Sequence, residues 1–123
     1  MKRLNGYFVA EHSEKNELGG LTEKVTLYQG KQEIAHITTC TTQGSVYLQI
    51  LGLYVESNHR KQGLARRLVE HILEKADRIV MLRVCSYADE SMSDEQLIKF
   101  YQSIGFVQMP NRNKYHLMYK KIK

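Results

Sequence analysis

The stretch that most restricts the fold is a passage from an apolar strand almost directly into a helix. Leu53-Tyr54-Val55 runs through Glu56-Ser57-Asn58-His59 into Arg60-Lys61-Gln62-Gly63-Leu64-Ala65. From there Leu64, Leu68 and Ile72 recur at helical spacing, and Ala65, Val69, Leu73 and Ala76 widen the apolar stripe. The pattern predicts a helix over residues 64–76 whose apolar face lies on the sheet that holds the strand. A helix N-terminus leaves about four backbone N–H groups unpaired and carries roughly half a positive charge. Gly63 can take a backbone conformation closed to other residues, and Ala65 keeps the first turn low. Arg60, Lys61 and Arg66 add positive charge, so the turn suits a phosphate. The plainer alternative is a helix that starts after a glycine turn with a solvated basic face. No GK[ST] follows the turn, and the dinucleotide fingerprint wants three glycines, so neither pattern applies.

The other elements follow from periodicity and turn chemistry. Residues 7–10 read as a short strand and 11–20, polar and ending in Gly19-Gly20, as a loop. Val25, Leu27 and Ile34 flank Gly30-Lys31 as a hairpin, and 38–44 is threonine-rich and turn-like. Residues 45–55 form a long strand. Val46, Leu48 and Ile50 fall on one face, and Tyr47, Gln49, Leu51, Leu53 and Val55 on the other. Gly52 interrupts this strand where a bulge is natural. Residues 79–84 are a dense apolar strand. A second helix spans 93–104, with Ser93 and Gln96 at capping-box spacing and Gly105 as its C-terminal stop. Phe106-Val107 and residues 116–119 close the chain as strands around the turn Asn111-Arg112-Asn113.

A chain of 123 residues fits one domain, taken here as residues 1–123, and 42% hydrophobic residues suffice for one core. No apolar run approaches the roughly 20 residues of a membrane span. Met1 to Gly6 is followed by no apolar signal region. Cys40 and Cys85 lack CxxC spacing and read as two buried thiols in a reducing, cytoplasmic compartment. The net charge of +5 suits an anionic partner without choosing one.

The run from Leu53 to Leu68 resembles the acetyl-CoA motif of the GCN5-related N-acetyltransferases, a strand ending in L-x-V, about four residues, [RQ]-x-x-G-x-[GA] and an amphipathic helix. Phe100-Tyr101-Gln102-Ser103-Ile104-Gly105-Phe106 looks like the family's second signature, F-Y-x-x-x-G-F. The resemblance implies a mixed α/β fold: a mostly antiparallel sheet, splayed between two strands and flanked by helices, as in acyl-CoA N-acyltransferases. It further implies that the backbone of Leu53, Tyr54 and Val55 pairs with the pantetheine arm of acetyl-CoA. Amides of Gln62, Gly63, Leu64 and Ala65 then receive the pyrophosphate, flanked by Arg60, Lys61 and Arg66. Tyr101 matches the family's general acid, which protonates the departing thiolate. No metal is implied.

The base is less plain. Histone-type members carry a glutamate where this chain has Gln49, which accepts no proton usefully; Glu56 and His59 are nearby but lie in a loop. Most members also place two helices between the first and second strands, whereas residues 11–23 hold at best one short turn of helix. An open acceptor side favours an exposed or macromolecular amine, and an exposed edge makes a homodimer plausible. Residues 85–92, polar and acidic, read first as a solvated loop and second as a cover over that side, with Asp89 and Glu90 to attract a cationic amine. The alternatives are a non-catalytic acetyl-CoA-binding module, which Gln49 and the missing helices favour, and a basic nucleic-acid binder, which matches no recognition motif.

Overall fold

The structure is a computed structural model, and it describes residues 3–60, 62–84, 93–110 and 117–122. The chain forms β1 (Arg3–Leu4), β2 (Tyr7–Lys15), β3 (Leu21–Gln29), β4 (Gln32–Cys40) and β5 (Tyr47–Val55), then α1 (Leu64–Lys75), β6 (Ile79–Arg83), α2 (Asp94–Ile104), β7 (Val107–Gln108) and β8 (Leu117–Lys120). The strands make one sheet in the order β1-β2-β3-β4-β5-β6-β8-β7. Only the β5–β6 pair is parallel. This is the mixed, mostly antiparallel arrangement expected.

Two crossovers place the helices. β5 passes through α1 to its parallel neighbour β6, and β6 passes through α2 to β7, which lies beyond β8 and runs parallel to β6. Both steps move in the same direction across the sheet, and right-handed crossovers then set both helices on one face. The core lies there. Val25, Leu27, Ala35, Ile37, Ile50, Val80, Leu82 and Met118 from the sheet meet Leu64, Leu68, Val69, Ile72 and Tyr101 from the helices in one buried cluster. The other face carries Phe8, Tyr28, His36, Gln49, Tyr54, Met81 and Tyr119, none of them buried. Among the described residues no helix lies over it.

The second strand is longer than its composition suggests. Residues 11–15 are not loop but the outer half of β2, paired from Glu11↔Val25 to Lys15↔Leu21. They are exposed and polar, so alternation does not mark them; continuous antiparallel pairing with β3 supplies what propensity does not. The connection 16–20 is closed by Asn16, whose Oδ1 accepts from Leu18 and Gly20 N–H and whose Nδ2 donates to Thr41 O. No helical turn forms between β2 and β3. Glu11 faces α1 and accepts from His71 Nε2 at 2.8 Å and Lys75 Nζ at 3.0 Å, tying the edge of the sheet to the helix.

Two further readings need correction. Thr38, Thr39 and Cys40 belong to β4, paired with Gly52, Ile50 and Gln49, because β-branched residues fit a pleated surface; the turn begins only after Cys40. The division of 45–55 into two faces also fails. A bulge lies between Thr39↔Ile50 and Thr38↔Gly52, so Leu51 is the extra residue. Ile50, Leu53 and Val55 therefore share the core face opposite Thr39, Ile37 and Ala35, while Leu51 is 52% exposed. Val46 precedes the strand and is exposed. Cys40 is half-buried rather than buried. Cys85, the loop 85–92, the turn 111–113 and His116 lie outside the described residues.

Candidate active site

The site begins where the sheet stops being a sheet. β5 and β6 pair only from Tyr47↔Ile79 to Ile50↔Leu82. Beyond the Leu51 bulge, Leu53, Tyr54 and Val55 remain paired to Ile37, His36 and Ala35 of β4, and no described residue pairs with them on the β6 side. Along this slot-like edge the described residues make no strand pairing with β5.

The end of β5 is fixed by local polar contacts. Glu56 N–H donates to Ile34 O at 2.7 Å. The Glu56 carboxylate accepts from Asn58 N–H and pairs with His59 Nδ1 at 2.7 Å, closing a turn of 3-10 helix at Ser57–His59. Arg60 Nε donates back to Val55 O at 3.0 Å. The Glu56 carboxyl is held below its usual 4.5, first by the hydrogen bond with His59 and then by the Asn58 amide. Because the folded value is the lower one, this stabilisation is complete above about pH 4.5 and is lost as pH falls through the lowered value. Glu33, lowered first by its hydrogen bond with His36, acts in the same window. We expect the double variant E33Q/E56Q to show a flatter fall in Tm than the parent between about pH 6 and pH 3.

Gln62 follows, and its Oε1 accepts from the Tyr7 hydroxyl at 2.9 Å. Tyr7 in turn stands edge-on to His59. Gly63 has φ 78° and ψ 13°, the left-handed region, and α1 starts at the next residue with no side chain capping it. No atom lies within 4 Å of where a Cβ on Gly63 would stand, so its requirement is conformational. The first amides of α1 carry the positive end of the helix dipole. Leu64 anchors the turn in the core and Ala65 is half-buried. Arg66 is engaged: it donates to Ser103 Oγ and O on α2 and pairs with Glu70. Lys61 lies outside the described residues.

That Arg66 contact brings in the second signature. Ser93 accepts from Gln96 N–H while the Gln96 side chain accepts from Ser93 N–H, completing the capping box. At the other end Gly105 takes φ 112°, its N–H donates to Gln102 O, and Phe106 N–H donates to Tyr101 O. This is the Schellman arrangement, with its apolar contact made by Tyr101 and Phe106, whose rings meet at 5.7 Å. The F-Y-x-x-x-G-F pattern is therefore a device for ending a helix so that Tyr101 is held in place. Tyr101 is 8% exposed and contacts Phe100 on its other side.

Two features escaped the motif reading. One is the Tyr7–Gln62 bond, which joins residues far apart in sequence and has no local signal. The other is a pair at Glu33 and His36, whose Nδ1 and Oε2 are 2.7 Å apart, with the imidazole against the Tyr54 ring at 5.5 Å. Its signal was available: Glu-x-x-His occurs at 33–36 and again at 56–59.

Comparison with known proteins agrees with this geometry. Residues 4–108 match the family described as the acetyltransferase (GNAT) domain. No curated protein matches the sequence. Among solved structures, the chain is similar to a putative GNAT acetyltransferase from Desulfovibrio desulfuricans, with TM-score 0.66 and 11% identity over 83% of this chain and 69% of that one. It is also similar to the ribosomal-protein-S18-alanine N-acetyltransferase from Escherichia coli, with TM-score 0.61 and 21% identity over 81% of this chain and 68% of that one. The anti-CRISPR protein AcrVA5 superposes with TM-score 0.61 and 21% identity, over 81% of this chain and 98% of that one. At these identities the likeness is one of fold, and the family follows from the sequence match: the chain belongs to the GNAT acetyltransferase family.

Proposed function

We propose that the protein transfers the acetyl group of acetyl-CoA to a primary amine presented by an exposed or macromolecular acceptor. The observation that carries this reading is the juxtaposition of an edge of β5 left without a described partner with an uncapped helix N-terminus one turn further on. The pantetheine arm extends along Leu53, Tyr54 and Val55 in the manner of an added strand. Amides from Gln62 to Ala65 receive the pyrophosphate, with Arg60, Lys61 and Arg66 around it. The amine nitrogen attacks the thioester carbon, the carbon–sulfur bond breaks, the Tyr101 hydroxyl gives its proton to the thiolate, and the proton shed by the new amide nitrogen restores that hydroxyl.

The acceptor class rests on the bare sheet face. Where most of the family interposes two helices, β2 and β3 are joined by residues 16–20 alone, so nothing described encloses a small molecule. The Escherichia coli neighbour is named for a protein acceptor, which accords with that reading. A second copy of the chain is a further means of completing this side. The rival reading, a non-catalytic acetyl-CoA-binding module, draws on Gln49, which stands on the bare face where a glutamate base is usual.

A thiol-release assay with acetyl-CoA and a panel of free amines, lysine peptides and peptide N-termini separates the two. We expect release above the no-acceptor rate with at least one peptide. Acetyl-CoA binding without release across the panel supports the module instead.

A further inference from the structure

The acetyl transfer proposed above needs a group to take the proton of the acceptor ammonium, and the sequence offers Gln49 at the customary place. We infer that Glu33 and His36, on β4, are that group: His36 accepts the proton at Nε2, directly or through one water, and Glu33 positions it. This inference rests on the acetyl-transfer reading and deepens it.

Three observations converge. The first is the dyad's internal geometry. The Glu33 carboxylate lies 2.7 Å from His36 Nδ1, so the neutral ring keeps its proton there and presents a bare Nε2. Among the described residues the ring makes no other hydrogen bond. The second is placement. His36 is paired with Tyr54 and its ring lies against the Tyr54 ring, so the imidazole stands on the bare sheet face beside the strand proposed to hold the cofactor. Strand spacing of about 4.8 Å and a rise of about 3.3 Å per residue put its Cα about 8 Å from that of Gly52, the residue after the bulge. The third is room. No atom lies within 4 Å of where a Cβ on Gly52 would stand, and Gly52 pairs with Thr38, which shares the face of His36. An acceptor nitrogen above Gly52 therefore has the slot on one side and the imidazole on the other.

The other close Glu-His pairs do not serve: Glu11 and His71 meet on the helix-covered face, where His71 is buried, and Glu56 and His59 lie beyond the end of β5. His59 packs against Tyr7, whose side chain shares the helix-covered face with Glu11, and it sits in the turn leading to the phosphate site. The groups around His36 are few. Lys24 on β3 stands 3.7 Å from the second Glu33 oxygen, Tyr28 on β3 pairs with Glu33, and Tyr54 comes from β5. The proton balance closes. The ammonium gives one proton to His36, the freed lone pair forms the C–N bond as C–S breaks, Tyr101 protonates the thiolate, the second proton leaving the new amide nitrogen restores the Tyr101 hydroxyl through water, and His36 returns its proton to solvent.

The test compares wild type with H36Q, H36A and E33Q in the thiol-release assay from about pH 5.5 to 9, with acetyl-CoA-induced stabilisation measured on each as a control for folding and cofactor binding. We expect the His36 variants to keep that stabilisation, to lose about a hundredfold in kcat, and to lose the rise in log kcat with pH. E33Q should retain the rise with a rate about tenfold lower, as for a positioning residue. Unchanged rate and pH profile in H36Q and H36A overturn the dyad while leaving acetyl transfer intact. Cofactor stabilisation without release in wild type overturns acetyl transfer and the dyad together.

Discussion

Replacing Tyr101 by phenylalanine should lower kcat about a hundredfold while leaving acetyl-CoA affinity nearly unchanged. The substitution removes one hydroxyl and keeps the ring. The ring contacts to Phe100 and Phe106 hold it, and the Schellman bonds that set the end of α2 run through the backbone. Packing and helix termination therefore persist, and the loss falls on proton transfer to the thiolate. A hundredfold corresponds to about 2.7 kcal/mol of barrier, within what a positioned acid contributes. Steady-state kinetics with any accepted amine, together with a cofactor titration, reads both quantities. Loss of acetyl-CoA binding in this variant would assign Tyr101 to the cofactor site instead.

The substitution Gly63→Val should have the opposite signature, weakening acetyl-CoA about 10- to 100-fold. Gly63 sits at φ 78°, where a side-chain-bearing residue costs about 1–2 kcal/mol and a β-branched one more. There is space for the side chain, so strain rather than collision moves the turn. Its displacement carries the amides of Leu64 and Ala65 away from the oxygens they are proposed to bind, at the cost of one or two charge-assisted hydrogen bonds. The helix itself survives, because Leu64, Leu68 and Ile72 remain buried. Isothermal titration reads the affinity and circular dichroism the helix. Unaltered affinity would place the pyrophosphate elsewhere.

The helices, the β3–β4 hairpin and the glycine turn into α1 were legible because each has a local signature. α1 has its apolar stripe, α2 its capping box and C-terminal glycine, and the hairpin its Gly30-Lys31 turn. The misread segments depend on partners remote in sequence. Residues 11–15 are strand only because β3 lies beside them, and the face of Leu53 is set by a bulge that inverts the alternation of β5. The site divides the same way. Gly63, Leu64 and Tyr101 are positioned by local backbone geometry that the sequence records. The Tyr7–Gln62 bond and the approach of His36 to Tyr54 are products of sheet pairing.

The central claim is that the half-paired strand and the helix start together bind acetyl-CoA. Thermal unfolding with and without the cofactor tests it most directly, since a ligand that binds only the folded state raises stability by mass action. At a cofactor concentration about 100 times the dissociation constant the gain is about 2.7 kcal/mol, which for a domain of this size is a rise in Tm on the order of 10 °C. The account predicts a saturable rise of that order in wild type, much reduced in Gly63→Val and preserved in Tyr101→Phe. No rise at millimolar acetyl-CoA, or an equal rise in the Gly63 variant, would contradict it.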